Sequence, residues 1–220
     1  MKFHCYVMAA IFSVCCHGQY DLSDRPQEHQ DWEKYASELL TGTRSLIVLL
    51  SKETRIDRPI CWSTKKATNL RVGFHHYLTY FKKDSTGHRK NGTWIKRNTM
   101  WYVGPINKEP TILLEASVAS GVLDKDVSGD YDLFYANTSC FIMATRPATK
   151  DNKLEGNSSL QMLQNNSRCL LWAPEGSTMN MIKDCQRAFW SNCTCFGNHT
   201  FRYNETKCKN NVTVGKVAPQ

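Results

Sequence analysis

The sequence predicts an all-β fold, a closed up-and-down barrel with flanking helices. Two observations favour this fold class. Roughly seven or eight strand-like segments follow one another through turn-rich connections, without the strand–helix alternation that a parallel sheet requires. Helical periodicity occurs only near the two ends of the chain. A β-sandwich is the alternative that this order of elements leaves open.

Composition points to one secreted domain. The chain has 220 residues, of which 41% are hydrophobic and 22% charged, as in ordinary globular proteins. A single barrel or sandwich can reach this length and bury a real core without metals or disulfides. The chain nevertheless carries 10 cysteines and a net charge of +8. These values argue against a cytosolic α/β enzyme and favour an extracellular, disulfide-bonded domain.

Residues 1–18 read as a secretory signal peptide. Lys2 supplies a positive start, an apolar run extends from Cys5 to Cys16, and Gly18 offers a cleavage point. No other stretch is apolar for long enough to suggest a transmembrane helix. Removing Cys5, Cys15 and Cys16 from the 10 cysteines leaves seven, an odd number that predicts three disulfides and one spare thiol.

Asn-x-Ser/Thr acceptors support secretion independently, and they crowd the C-terminal third of the chain. A further acceptor at Asn192 is doubtful if the following Cys193 is bonded. We therefore expect glycans at Asn91, Asn137, Asn157, Asn165, Asn198, Asn204 and Asn211.

The predicted elements begin with a flexible leader over residues 19–30 and an amphipathic helix over 31–40, ended by Gly42. Strands are expected at 44–51, across the alternating positions from Leu70 to Tyr80, and at 93–103, 111–119, 131–147 and 159–172. The long segment 131–147 has a predicted break at Asn137. A hairpin loop over 82–93 contains the turn signal Asn91-Gly92.

The last predicted element is a second helix. Ser177 or Thr178 can cap it, and Met179, Ile182, Cys185 and Phe189 then share one face.

Motifs for catalysis are missing from the sequence. It contains no nucleophile elbow, phosphate loop, dinucleotide fingerprint or HExxH motif, so we expect no enzyme and no cofactor. His75 and His76 are adjacent on a predicted strand and point to opposite faces, and Cys193, Cys195 and His199 fit disulfide chemistry better, so no metal is expected.

The basic residues fall into dispersed clusters: Lys65-Lys66, Lys82-Lys83, His88-Arg89-Lys90 and Lys96-Arg97. They are either solvated loop charges or attract an anionic partner such as a glycosaminoglycan, an acidic protein or a carboxylate ligand. Nucleic acid is not expected, because no aromatic motif is interleaved with these charges.

Six tryptophans are the more useful clue, because most of them lie on or beside predicted strands. Core packing explains many such residues. A barrel of about eight strands can also hold one small ligand lined by aromatic rings. We therefore place Trp94 and Trp101 among the candidate ligand-binding residues and expect a binding protein.

Residues 140–208 resemble the secreted salivary lipocalins of ticks, of which histamine-binding proteins are the type members. The Trp32 helix and the strand leading to Cys61 fit the family's N-terminal half, whereas residues 62–130 match in pattern only. The C-terminal matches are Cys140-Phe141-Ile142, Cys169-Leu170-Leu171-Trp172, Cys185, Phe189, Cys195-Phe196-Gly197 and Cys208.

The resemblance implies a lipocalin (calycin) barrel with a short N-terminal helix and a C-terminal helix packed outside. Its cavity would sequester small host mediators, biogenic amines or eicosanoid-type lipids, and some members bind complement protein. The resemblance also implies the disulfides Cys61–Cys208 and Cys140–Cys185. It pairs Cys169 with Cys193 or Cys195, of which we place Cys195 in the bond while the choice stays open.

One departure from the family bears on the ligand. If the cysteines face outward, strand alternation turns Phe141, Leu170 and Trp172 into the cavity. Amine-binding members carry an Asp and a Glu where this chain has Phe141 and Leu170. A buried ammonium needs such acids, so an apolar ligand with a carboxylate met by Arg, Lys or His fits better, unless Glu38 or Glu115 substitutes.

We therefore expect a lipocalin domain over residues 31–209 and a flexible tail over 210–220. The protein is expected to be a secreted monomer that binds a small host mediator, most simply an apolar or carboxylate lipid, and no membrane. Two alternatives remain: a biogenic amine held by displaced acids, and a host protein blocked through exposed loops such as 82–97 or 104–110.

Overall fold

A computed structural model describes residues 24–88, 92–145 and 167–209. The predicted signal peptide and the tail after residue 209 lie outside these residues. The described elements are helix α1 (Gln27–Thr41), strands β1 (Leu46–Glu53), β2 (Ile60–Asn69), β3 (Phe74–Lys82), β4 (Thr93–Ile106), β5 (Glu109–Ser117), β6 (Gly129–Asn137), β7 (Cys140–Thr145) and β8 (Arg168–Pro174), helix α2 (Lys183–Asn192), strand β9 (His199–Arg202) and helix α3 (Glu205–Lys209).

Strands β1 to β8 close into an antiparallel up-and-down barrel. Each strand from β2 to β8 pairs with the next, β8 pairs with β1, and Leu46 and Ile47 of β1 also pair with β2. The ninth strand pairs with Leu50–Glu53 at the other end of β1. This closure confirms the predicted lipocalin-type barrel and leaves no place for the two separate sheets of a sandwich.

Alternation along the strands separates an inner from an outer apolar cluster. On β7, Phe141 and Met143 belong to the inner cluster, whereas Cys140 and Ile142 belong to the outer one. A bulge in β1 between Val48 and Leu50 changes the phase of that strand. As a result Ser51 and Glu53 point inward beyond the bulge, as the strand partners of Leu170 and Arg168.

Helix α1 closes one end of the barrel. It begins at Gln27 rather than at residue 31, directly after Pro26, so residues 27–30 are helical and do not belong to a leader. Ala36 and Leu40 are fully buried against the inner cluster. The imidazole of His76 joins helix to barrel, because its Nε2 lies 3.0 Å from the carbonyl oxygen of Leu40.

The C-terminal segment packs outside the barrel. The predicted cap at Ser177 or Thr178 is wrong, because α2 begins only at Lys183, after a run of turns. Ile182 and Met179 still pack into the outer cluster, so their apolar spacing is satisfied by a loop and not by a helix face. Cys185 and Phe189 are the buried residues of the helix itself. Among the described helices, none is long and apolar enough to cross a membrane.

The predicted break at Asn137 is confirmed, because β6 ends there and β7 begins at Cys140. Strand β2 was not predicted, since the consecutive Lys65 and Lys66 hide its alternation. The predicted strand from Leu70 to Tyr80 begins too early, because Leu70 and Val72 lie in the β2–β3 turn and are exposed.

Candidate ligand site

Four of the five predicted ligand-binding residues lie inside the barrel. Phe141, Leu170, Trp172 and Trp101 belong to the inner cluster, and each is 0% exposed. No water-sized void therefore touches these side chains. They form a packed core in this conformation, so a ligand between them requires side chains or a loop to move.

Trp172 is at the centre of this core. Its ring stacks on Phe141, with centroids 6.1 Å apart and an interplanar angle of 15°. It meets Trp101 and Trp62 edge-on, at 5.4 Å and 6.1 Å. Its indole Nε1 is buried and has no hydrogen-bond partner in the part of the chain that the structure describes, which is unusual for a buried tryptophan. An acceptor group on a ligand would satisfy this donor.

The placement of Trp94 in the ligand site is wrong. Its ring packs outside the barrel, edge-on to Phe81 at 5.4 Å, in the small cluster around Cys61 and Cys208. The physical reason is strand parity. Trp94 and Trp101 are seven positions apart on β4, an odd number, so their side chains point to opposite faces.

Among the described residues three disulfides form: Cys61–Cys208, Cys140–Cys185 and Cys169–Cys193. The placement of Cys195 in a bond is therefore corrected, because Cys195 is free and exposed. Cys193 directly follows α2 and is fully buried in the outer cluster beside Cys169. Its bond also keeps the acceptor at Asn192 doubtful.

A charged cluster lies at the end of the barrel opposite α1. Glu53, Arg58 and Arg168 are only 3%, 5% and 3% exposed. Burial raises the pKa of the Glu53 carboxyl to about 7, although the positive charges of Arg168 and Lys83 and a hydrogen bond from Ser51 oppose the shift. Burial lowers the pKa of Arg58, and the positive charge of the nearby Arg168 lowers it further.

Arg168 has hydrogen-bonding capacity that no described residue uses. Its Nη1 donates to the backbone oxygen of Asp126, and its guanidinium lies 5.6 Å from the centroid of the Trp62 ring. Its Nε is buried without a hydrogen-bond partner among the described residues. A guanidinium with a free N–H beside an aromatic ring is a suitable partner for a carboxylate.

A loop formed by residues 118–128, here called the mouth loop, covers this end of the barrel. The Asp124 carboxylate accepts hydrogen bonds from Tyr80 Oη at 2.5 Å and from Arg97 Nε at 2.7 Å. Lys82 donates to Asp126, and Val127 is fully buried in the inner cluster. The mouth loop therefore acts as a plug held by hydrogen bonds.

A groove of about 600 Å³ lies outside the barrel beside Glu53. Glu53 and Lys83 line it on the barrel side, and His199 and Thr200 of β9 line it on the other. Arg58 and Arg168 do not line this groove.

Sequence reasoning missed Glu53, Arg58 and Arg168. A signal for Arg168 was present, because it precedes Cys169 and shares the inward phase of Leu170 and Trp172. Glu53 carried no such signal, since the bulge in β1 resets its phase. Arg58 lies in a connection, where no period applies.

Three of the predicted glycosylation sites lie within the described residues. Asn91, Asn157, Asn165 and Asn211 lie outside the described residues. Asn198 and Asn204 are exposed, whereas the Asn137 side chain is engaged in the β6–β7 turn, where its Oδ1 accepts from the backbone N–H of Ser139 at 2.8 Å. Its Nδ2 donates to Tyr135 Oη at 3.3 Å.

Comparison with known proteins gives likenesses of fold. No family model and no curated protein matches the chain. Japanin from Rhipicephalus appendiculatus bound to cholesterol is 12% identical, with a TM-score of 0.49 over 75% of this chain and 94% of that one. Apocrustacyanin C2 is 10% identical, with a TM-score of 0.49 over 84% and 90%. Lobster apocrustacyanin A1 is 11% identical, with a TM-score of 0.46 over the same shares. The barrel assignment rests on the strand order and register, and each neighbour's ligand is a property of that neighbour.

Proposed function

We propose that this protein is a secreted, non-catalytic lipocalin that sequesters a small apolar ligand carrying a carboxylate, such as an eicosanoid-type lipid. The observation that carries the proposal is Arg168, a buried guanidinium at the barrel mouth with a free Nε. Its carboxylate partner would be the ligand's head group. From the resemblance to tick salivary lipocalins we propose that this activity serves evasion of host inflammatory defence.

The ligand's apolar body would lie among the aromatic rings below Arg168. Trp62 forms the link, because its ring contacts both the guanidinium and Trp172. The unpartnered indole N–H of Trp172 offers a second donor. Since the core is packed, binding would displace the mouth loop with its plug residue Val127, or shift the rings, and this cost favours a large apolar ligand over a small one.

Sequestration needs stoichiometric binding and no reaction. The protein lowers the free concentration of the mediator, so it must be abundant or bind the mediator tightly. We propose that it acts as a monomer. Export through the signal peptide over residues 1–18 and glycosylation of the exposed Asn198 and Asn204 are part of this proposal.

A biogenic amine is the second candidate, because Glu53 is a buried acid inside the barrel. Arg168 opposes it, since a cation beside Glu53 would also face this guanidinium. Glu115 cannot take the role, because it alternates with the inward Leu114 and Ala116 and so points outward. Glu38 lines a groove of about 350 Å³ at the opposite, closed end.

The test is titration of tryptophan fluorescence, with native mass spectrometry for stoichiometry. Arachidonate, its methyl ester, a leukotriene, histamine and serotonin are compared. We expect one tightly bound arachidonate or leukotriene per chain and at least about tenfold weaker binding of the ester, which lacks the charge that Arg168 would pair. Equal affinity for acid and ester would overturn the role of Arg168, and submicromolar histamine binding would favour the amine.

A pair of variants localises the effect. Arg168→Met removes the buried guanidinium, whereas Arg187→Met removes an exposed one whose side chain is 81% exposed. Only the first should abolish the preference for acid over ester. If Arg168→Met fails to fold, the acid–ester comparison on the natural protein still decides. Failure of every small ligand to bind would favour the alternative of a host protein blocked through loops such as 82–97 or 104–110.

A further inference from the structure

The outer surface of strands β2 to β4 carries a group of polar and basic side chains, here called the cationic face. Its members alternate with the inward Trp62, Leu78, Tyr80 and Trp101, so they point away from the barrel. The register places Lys65 opposite Tyr77 and Tyr77 opposite Asn98. The face consists of Ser63, Lys65, Thr68, His75, Tyr77, Thr79, Lys96 and Asn98.

Tyr77 is the centre of the cationic face and is 41% exposed, which is high for an aromatic side chain on a strand. Lys96 Nζ lies 4.3 Å from the centroid of its ring, and the His75 ring lies 5.8 Å away. Lys65 lies on β2 and Lys96 on β4, the two strands on either side of the strand that carries Tyr77. The backbones of these two strands are two strand spacings apart, about 10 Å. An exposed ring thus has one ammonium group over it, from Lys96, and a second lysine, Lys65, opposite it on the neighbouring strand.

Most other members of the basic sequence clusters are engaged elsewhere. Lys66 donates to the carbonyl oxygen of Thr41 and Lys83 to that of Ile56, while Lys82 pairs with Asp126. Arg97 pairs with Asp124 inside the mouth. Within the described residues, Lys65 and Lys96 have no acidic partner, and their ammonium groups are exposed.

Acidic side chains are separated from this face. None of its members is Asp or Glu. Acids of the outer barrel wall lie on the next two strands, Glu115 on β5, opposite Met100 of β4, and Asp130 and Asp132 on β6. A wall divided in this way attracts a polyanion to one side only.

We infer that the cationic face binds a sulfated polysaccharide. Lys65 and Lys96 would pair with sulfate groups, and the exposed ring of Tyr77 would stack on a pyranose ring. The hydroxyl groups of Ser63, Thr79 and Thr68 would hydrogen-bond the sugar hydroxyls. A protein partner is less well matched, because the apolar Met100, opposite His75 on this face, is only partly exposed. Leu70 and Val72 lie in the turn beyond the edge of the face.

Such binding would hold the protein on extracellular matrix and is independent of the small-ligand site. The experiment measures binding of the glycosylated, full-length secreted protein to heparin, chondroitin sulfate and unsulfated hyaluronan by surface plasmon resonance at several salt concentrations. We expect binding to the sulfated chains that weakens as salt rises, and none to hyaluronan.

Two double variants isolate the face. Lys65→Ala with Lys96→Ala should lower heparin affinity by about tenfold, and Tyr77→Ala should lower it further than Tyr77→Phe. The control, Lys34→Ala with Lys183→Ala, removes the same charge from two exposed helix positions and should change affinity less than about threefold. Equal losses in both double variants, no heparin binding, or equal binding of poly-glutamate would each overturn the inference. Circular dichroism checks that every variant is folded, and the positions are exposed enough for this to be expected.

Discussion

Phe141 and Trp172 are opposite one another on β7 and β8, and their rings stack at 6.1 Å inside the barrel. The family resemblance drawn from the sequence implies an acid at the position of Phe141 in amine-binding members. Here the same position contributes an aromatic surface that is 0% exposed. The pair therefore supplies core stability and an apolar wall, while the charged groups of the interior lie at the mouth.

Replacing Phe141 should be costly because of this stacking. We expect Phe141→Ala to lower the free energy of unfolding by about 3–5 kcal/mol, the usual range for a fully buried phenylalanine. Guanidinium unfolding measures the change. Val72→Ala, at a position that is 73% exposed, serves as control and should change it by less than about 0.5 kcal/mol. A small effect at Phe141 would mean that the barrel is open and not packed.

Glu53 should make the protein less stable as pH rises. Because its folded pKa is about 7 against 4.5 for the free group, the folded state binds more protons than the unfolded chain between these values. The free energy of unfolding then falls by about 3 kcal/mol from pH 4.5 to 7 through this group. Glu53→Gln should remove that fall, whereas Glu28→Gln, at an exposed position, should not. The measurement is unfolding in denaturant across the pH range, and identical profiles for both variants would contradict the prediction.

His76 should act in the opposite direction. Burial lowers the pKa of His76 from 6.5 to about 4, although the hydrogen bond to Leu40 opposes the shift. The unfolded chain therefore binds more protons than the folded state between these pH values. The contribution to stability is present above pH 6.5 and is lost as pH falls towards 4, by about 3 kcal/mol. The opposite pH dependences of Glu53 and His76 offset one another in the natural protein. The rise of the free energy of unfolding with pH that His76 causes should therefore appear in Glu53→Gln. An NMR titration of His76 with its midpoint near 6.5 would refute it.

The mouth loop should open more easily without its carboxylate anchor. Burial alone would raise the pKa of Asp124, but hydrogen bonds from Tyr80 and Arg97 outweigh it and hold the pKa below its usual value. Asp124→Asn should weaken both bonds, by about 1–3 kcal/mol for a charged acceptor. Hydrogen exchange of residues 118–128 should accelerate, together with release of any bound arachidonate. Asp130→Asn, at an exposed position, is the control, and unchanged exchange in Asp124→Asn would exclude this anchoring.

Cys193 and Cys195 should behave differently. Cys193→Ser removes the bond to Cys169 and should lower stability by about 2–5 kcal/mol, whereas Cys195→Ser should be nearly neutral. Peptide mapping of the secreted protein should find Cys169 joined to Cys193 and Cys195 open to alkylation. A peptide that joins Cys169 to Cys195 would reverse the assignment.

Strand parity explains much of what could be predicted. Because side chains alternate on a strand, the outward cysteines of β7 and β8 place Phe141, Leu170 and Trp172 in the interior. The same rule was available for Trp94 and Trp101, whose odd separation excludes a shared face, and for Arg168. These three positions needed no tertiary information.

The sequence by itself thus predicted the barrel from the order of its local periods, with a sandwich as the alternative, and strand alternation gave the inward phase of Phe141, Leu170 and Trp172 once the cysteines face outward. The apolar residues at the positions of amine-binding acids are what the family resemblance implies. The tertiary structure alone decided that Cys193 and not Cys195 meets Cys169, since both follow α2 outside any strand. It also decided that Glu53 and Arg168 meet at the mouth, because the bulge in β1 and the closure of β1 on β8 bring together residues far apart in the chain.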